Sequence, residues 1–269
     1  MHTAPVILAA LRIPDPAMPL DVTRIGAVVA VSLVPAFARS RASRPGLTGG
    51  VMTARTIPLP SPDLYYPASG VSAVTALRER RSQHEFAAEH LSLTTLATLL
   101  NESAGVTELF GRGTPSPGRA YPVSCVVAAC AVDGLPSAFY LYDPRAHALS
   151  PLAIEADPRE WLLGVLANRA IAETEAAHVF AVGDAESAQQ HFGENADRFL
   201  LLEAGHLIQS MLLVAQHQKI GACAIGKFDR AAAEALLGPA TGGGLVLHSA
   251  AFGHYSEARV QAPAHRTAA

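Results

Sequence analysis

What the sequence lacks narrows its chemistry first. Only three cysteines occur among 269 residues, Cys125, Cys130 and Cys223. An odd, low count without metal-like spacing argues against a disulfide scaffold or a zinc site. Their Ala/Val surroundings fit inert packing, and Cys223 alone lies close to a candidate site. There are eleven histidines, yet no His-Glu-x-x-His and no clustered His/Asp/Glu set, so no metal is expected. No Gly-x-Ser-x-Gly elbow anchors a hydrolase. No Gly-Lys-Ser/Thr follows the glycine-rich loop, which removes a nucleotide-phosphate loop. No internal repeat is visible. A net charge of −3 offers no general attraction to nucleic acid or to an anionic membrane.

What is present is apolar. Half of the chain is hydrophobic, ample for the core of one large domain or two small ones. Residues 1–51 differ from the rest, being rich in Ala, Pro, Arg and Val without a sustained period. Their apolar run, Ile25 to Phe37, precedes Arg39, Arg41 and Arg44 and is too short to span a bilayer. It also begins too far from the start for an ordinary signal peptide, which stays as the minor reading. The leader is read as disordered, or as an extension upstream of a natural start near Val51 or Met52.

The second apolar run organises the chain: RFLLLEAGHLIQSMLLVAQHQKIGACAIGKFD, Arg198 to Asp229. From Phe199 to Ala215 nearly every face is apolar, which predicts a helix buried on all sides. Glu203, His206 and Gln209 recur at three-residue spacing, on or near one face. Those polar residues make a membrane span expensive, so a core or subunit-interface helix is expected, ended by Gly221.

Around it, patterning predicts helices over Val71–Arg81 (cap Ser72, Val74 and Leu77 on the apolar side), Leu93–Ala104 (cap Ser92), Pro158–Ala170 and Arg230–Leu237. Strands are expected over Pro122–Val132, Ala138–Tyr142, His147–Leu152, Ala176–Val182 and Leu245–Phe252, with Asp133-Gly134 in the first connection. Residues 105–120 read as a loop. Interleaved helices and strands give an α+β or α/β class with a mixed sheet.

Three stretches could carry chemistry. Arg80-Arg81-Ser82 offers forked donors and a hydroxyl to a phosphate or carboxylate, or is an ordinary basic helix end. The loop Gly111 to Pro122 has glycines that allow close backbone approach, with Arg112, Ser116, Arg119 and Tyr121 as donors; it could equally be a plain surface loop. Gly221 to Lys227 could present backbone N–H groups, or be a simple left-handed helix stop. His84, His191 and His206 lie near these stretches, and an ordinary core or surface histidine is the plainer role for each.

In order and spacing these stretches resemble the flavin-dependent nitroreductase family, closest to SagB-type azoline dehydrogenases. The pieces are the lead-in IPLPSPDL, then LRERRSQHEF with LSLTTLATLL, GTPSPGRAYPVSCVV, SAFYLYDPRAHAL, the long helix with its glycine turn, and VLHSAAFGH. The resemblance covers about residues 55 to 254. It implies an α+β nitroreductase-like fold, with a mixed, mainly antiparallel sheet flanked by helices, and FMN bound at a homodimer interface built largely by the long helix. It implies flavin contacts from Arg80, Arg81 and Ser82, with His84 where a second basic residue is usual. Pro115, Ser116 and Gly118 match a Pro-Ser-x-Gly loop that packs against the cofactor, often from the partner subunit, and Arg119 stands where a small residue or Asn is common. Ala224, Ile225, Gly226 and Lys227 match the turn over the isoalloxazine, with the Gly226 N–H facing N5, which accepts the hydride. Arg259 and Arg266 are candidates for a C-terminal phosphate contact. The boundaries follow as a leader 1–51, an FMN-binding domain 52–258 and a tail 259–269.

One departure stands out. The family's Lys-Tyr-Gly before the long helix is His191-Phe192-Gly193 here, so the phenol is missing and an imidazole replaces the ammonium. His191 is the candidate proton carrier. The resemblance implies a cytoplasmic FMN oxidoreductase acting on a small molecule or peptide, with azoline-to-azole oxidation in a ribosomal-peptide pathway first. NAD(P)H-dependent reduction of nitro compounds or quinones is the alternative. A catalytically silent flavin-fold partner in a biosynthetic complex is the third reading.

Overall fold

A computed structural model describes residues 55–62, 72–107 and 111–256. The leader 1–51, the tail with Arg259 and Arg266, and Val71 lie outside the described residues. In chain order the elements are β1 (Ile57–Pro58), α1 (Ala73–Glu79), α2 (Leu93–Ala104), β2 (Val106–Thr107), β3 (Gly111–Arg112), β4 (Val123–Ala129), β5 (Ala138–Asp143), β6 (Ala148–Pro151), α3 (Pro158–Val165), α4 (Arg169–Thr174), β7 (Ala177–Gly183), α5 (Ala185–Phe192), α6 (Ala196–His217), β8 (Gly221–Ile225), α7 (Arg230–Ala240) and β9 (Leu245–Gly253).

Seven strands form one sheet in the order β1-β6-β5-β4-β7-β9-β8. All of its ladders are antiparallel. The parallel part of the expected mixed sheet is confined to single bridges, Ser82 to Ala222 and Leu91 to Val132. The period of two along a strand explains why helices cover both faces. On β4, Cys125, Val127 and Ala129 face a core shared with α2 and α6, through Leu96, Leu100, Leu200, Leu207 and Met211. Val126 and Ala128 face the opposite core, built with Leu162, Ile171 and Leu237 of α3, α4 and α7. Each fully buried Leu or Ile contributes about 1.5–3 kcal/mol by leaving water.

Local chemistry sets the helix starts. The Ser72 and Ser92 hydroxyls accept from the Thr75 and Thr95 N–H groups at 3.1 and 3.0 Å, satisfying donors that a first turn leaves open. The expected helix over 158–170 is two helices, because Leu166 leaves helical geometry and Asn168 caps a new one. Helix α5 was not expected from the sequence. Its turns are polar on most sides, and its one clear signal is Asp184 accepting from the Ser187 N–H at 2.8 Å.

The 22-residue α6 spans about 33 Å. By length and composition the stretch Ala185–His217 contains a segment apolar enough to cross a membrane; here one side of α6 packs on the sheet. Burial on all sides is not what the fold shows. Leu201 is 56% and Leu202 44% exposed, because the sheet covers only one side of the helix. On α1 the apolar-side residues Val74 and Leu77 are 58% and 57% exposed, since α1 meets the rest of the fold through Ala76. Glu203, His206 and Gln209 also divide: Glu203 is buried and the other two are exposed. The helix ends at His217 with Gln218 as its cap; Lys219 follows with a left-handed φ of 58°, while Ile220 N–H returns to Ala215 O at 3.0 Å. Gly221 is already the first residue of β8, so its role is not the helix stop.

Candidate functional site

The segment after α1 lies along the β8 edge. Ser82 bridges Ala222 in parallel, and Gln83 N–H donates to Ala222 O at 3.0 Å. Two glycines make this approach fit. A Cβ on Gly221 would lie 3.0 Å from Gln83 Cγ and 3.2 Å from the Phe86 ring; one on Gly253 would lie 2.8 Å from Phe86 Cβ. Phe86 is buried and its N–H donates to Thr174 Oγ1 at 3.0 Å. Backbone pairing, glycine clearance and a buried ring therefore fix where Arg80, Ser82 and His84 stand.

The three basic and hydroxyl candidates of that segment separate. The Arg81 guanidinium folds back onto Arg78 O at 2.7 Å and Arg80 O at 2.8 Å, closing carbonyls at the helix end. Arg81 therefore plays the helix-end role. Arg80 and the Ser82 hydroxyl face the Cys223 thiol, and both favour its thiolate, but burial dominates and pushes the thiol up. Burial thus holds the Cys223 thiol toward its protonated form.

Cys223 belongs to the wall of a cavity of about 580 Å³, lined by His84, by Leu166 to Ile171, and by Cys223 to Lys227. The volume is in the range of small-molecule and cofactor sites, about 300–1,000 Å³. Its floor is the end of β8. The ladder to β9 stops at Ile225 opposite Ser249, so the Gly226 backbone lies beyond it, and a Cβ on Gly226 would meet nothing within 4 Å. The opposite wall was not found from the sequence. Asn168 caps α4 by accepting from Ala170 N–H at 3.1 Å, and its side-chain amide lies 3.4 Å from His84 Nδ1. The chain closes behind it through Asp229 N–H to Val165 O at 2.9 Å. An Asn after a short helix pattern was the one available signal. Among the described residues, no group of three or more His, Cys, Asp or Glu side chains is placed to hold a metal.

Arg80, Arg81 and Ser82 are not among the residues that line this cavity. Pro115, Ser116, Gly118, Arg119 and His191 do not line it either. They gather on the side of the sheet covered by α6. Gly118, Arg119 and Tyr121 all have left-handed backbone, with φ of 57°, 56° and 51°. Positive φ at two non-glycine residues costs about 1–3 kcal/mol each and needs surrounding support. Support comes from Glu203. Its carboxylate accepts a short hydrogen bond from the Ser116 hydroxyl and one from Val123 N–H at 3.2 Å. Ser116 Oγ in turn accepts from Tyr121 N–H at 2.9 Å. Arg112 N–H donates to Tyr121 Oη at 3.1 Å, and its guanidinium lies 4.6 Å from the Tyr121 ring centroid. Burial raises the Glu203 pKa, while the Ser116 and Val123 hydrogen bonds and Arg112 pull it down. Pro115, Gly118 and Arg119 stay exposed.

His191 closes α5 beside this loop. Its Nδ1 lies 2.7 Å from Ser187 O, the distance of an N–H donated to that carbonyl, which leaves Nε2 pointing away from it. Phe192 packs edge-on against Phe199 at 5.1 Å and sits 3.9 Å from where a Gly118 Cβ would be. Phe192 is thus a packing residue joining α5, α6 and the loop.

Comparison with known proteins agrees with this architecture. The family model described as "Nitroreductase family" matches residues 77–254. A Methanocaldococcus jannaschii protein that carries the nitroreductase name is 29% identical over 153 residues, 56% of this chain and 77% of its own. A nitroreductase structure from Ralstonia eutropha superposes with a TM-score of 0.61 at 24% identity, covering 76% of this chain and 91% of that one. One from Anabaena variabilis gives 0.61 at 24% identity over 68% of this chain, which spans only 38% of that longer one. The Escherichia coli microcin synthetase McbBCD complex, solved with truncated pro-MccB17 bound, has a chain of the same fold. It gives a TM-score of 0.58 at 18% identity, over 72% of this chain and 78% of that one.

Proposed function

The chain belongs to the nitroreductase family, and from that premise we propose that it is an FMN-dependent oxidoreductase whose site is the cavity between β8 and α4. The observation that carries this reading is the cavity lined by His84 and by Ala224 to Lys227, with Ser82 bridged to Ala222 on the strand that leads into it. The residues fit the group. Arg80 would supply a cation, Ser82 a hydroxyl and His84 an imidazole for phosphate and ring oxygens. The unobstructed Gly226 backbone allows close approach of a flat ring. Arg81, occupied by its own helix end, is left out of the contact set. A structure of an Exiguobacterium sibiricum nitroreductase with FMN shares the fold, at a TM-score of 0.52 and 14% identity, which supports the choice of cofactor.

Bound FMN supplies a hydride acceptor and donor at N5. This chain's residues then orient and sequester. The Gly226 N–H, one residue past the end of the ladder, would be the donor toward N5. Asn168 and His84 close the cavity mouth on one side. The exposed Leu201 and Leu202 of α6 and Val74 and Leu77 of α1 are the surface on which a second copy docks. The second copy would bring the Pro115–Arg119 loop and His191 to the cavity, since neither lines the cavity of its own chain. His191, with Nδ1 held by Ser187 O, would move a proton through Nε2.

Dehydrogenation of an azoline to an azole in a modified peptide is the first reaction we assign. The shared fold with a chain of a synthetase complex carrying a pro-microcin supports it. Reduction of nitro compounds or quinones by NAD(P)H uses the same cofactor residues, and the named Methanocaldococcus relative supports it as the second reading. The test separates them. FMN-loaded protein that is bleached by NADPH is a reductase. Protein that resists NADPH but is reoxidised by oxygen after dithionite favours the peptide oxidase.

A further inference from the structure

We propose that Glu203 is a positioning residue, which holds the Ser116–Tyr121 loop in its ligand-facing conformation and couples it to helix α6. The inference rests on the FMN reading above and concerns a residue that touches neither cofactor nor substrate.

The loop needs holding. Three left-handed residues stand within four positions, Gly118, Arg119 and Tyr121, and only one of them is a glycine. A short loop in that state would relax without a fixed partner. Its start is anchored by the Thr114 hydroxyl to Ser103 O at 2.6 Å, and its end enters the sheet at β4. Between these anchors, the link from the loop's tip to α6 is the Glu203 carboxylate. One oxygen takes the Ser116 hydroxyl and the other takes the Val123 N–H. Ser116 passes the constraint on by accepting from Tyr121 N–H. Glu203 is 2% exposed, and a buried charge is tolerated only when its oxygens are satisfied. The strain of the loop and the satisfaction of the carboxylate therefore depend on each other.

The position on α6 adds a direction. Glu203 directly follows the exposed pair Leu201 and Leu202 and precedes the exposed Gly205 and His206. Any surface that docks on this face of α6 presses on the same helical turn that grips the loop. Docking and loop geometry are thereby joined through one side chain.

The test uses the full chain and the variants Glu203→Ala, Glu203→Gln, Ser116→Ala and Ser116→Ala/Glu203→Ala. Two quantities are read: hydrogen exchange at the Tyr121 and Val123 amides without FMN, and FMN affinity. Glu203→Ala should speed exchange at both amides and weaken FMN by about tenfold or more, the scale of a lost charge-assisted hydrogen bond. Exchange in β7 should stay at the wild-type rate. Glu203→Gln keeps one acceptor oxygen and should recover part of the FMN affinity. The double variant should be no weaker than Glu203→Ala alone, because both changes cut one link. If Glu203→Ala does not fold, Ser116→Ala, which removes the same link from a half-buried position, is read in its place. Wild-type protein that takes up no FMN overturns the proposed function, and this inference with it. Wild type and variants that bind FMN equally, or a double variant whose losses add, overturn this inference alone.

Discussion

The β8 edge and the Ser116–Tyr121 loop were both expected to hold the same cofactor, yet they are built on opposite plans. The edge is fixed by main chain: a bridge at Ser82, a Gln83–Ala222 hydrogen bond, and two glycines that leave room for Phe86. Side chains there can change without moving the segment. The loop is fixed by side chain: one buried carboxylate, one hydroxyl and three left-handed residues. The difference teaches where substitutions should act. At the edge, side-chain loss should cost ligand affinity and spare the fold, whereas in the loop, affinity and conformation should move together.

The hardest blow to the edge is a methyl group on its clearance. Gly253→Ala places a Cβ 2.8 Å from Phe86; it should cost about 1–3 kcal/mol of stability and abolish FMN uptake, read by denaturant unfolding and FMN titration. Next comes Arg80→Ala with Ser82→Ala. It should weaken FMN by about 1.5–3 kcal/mol, typical of charge-assisted hydrogen bonds, with the unfolding midpoint unchanged. A falling midpoint would show that the edge, like the loop, is held by side chains.

A pH series sharpens the loop side. Glu203 has its pKa raised above the ordinary 4.5 by burial. The folded state therefore holds this proton more tightly than the unfolded chain. Stability should fall as pH rises from about 4.5 through the raised value, where the unfolded chain has already lost its proton. Glu203→Gln removes that slope; an unchanged stability-versus-pH curve in the variant would contradict the assignment. The smallest effect belongs to Arg81→Ala. Its guanidinium serves an exposed helix end, so it should change stability by no more than about 0.3–1 kcal/mol and leave FMN affinity alone. A tenfold affinity loss would return Arg81 to the contact set.

How much of this could be read in the sequence follows the same division. Continuous runs of small and β-branched residues made β4, β7 and β9 legible, and Ser72 and Ser92 announced their helices. The family spacing picked out His84 and Ala224 to Lys227, which do line one cavity. Helix α5 escaped because AESAQQHF has little apolar periodicity and rests on its Asp184 cap. The cavity wall from Leu166 to Ile171 escaped because a helix break at Leu166 leaves no local mark stronger than Asn168. The exposed Leu201, Leu202, Val74 and Leu77 looked like core because one-dimensional patterning cannot tell a face packed on the sheet from a face awaiting another surface. Glu203 read as one of three polar residues on a face. Only the fold shows that it alone turns inward, toward Ser116.

The central claim is that the cavity beside β8 holds FMN, and the absorbance spectrum of the purified chain tests it most directly. Purified protein should be yellow with flavin bands in stoichiometric amount, or colourless protein should acquire them on incubation with FMN and lose them in the Arg80→Ala/Ser82→Ala variant. Protein that stays colourless after incubation with FMN, or a variant that binds it as tightly as wild type, would contradict it.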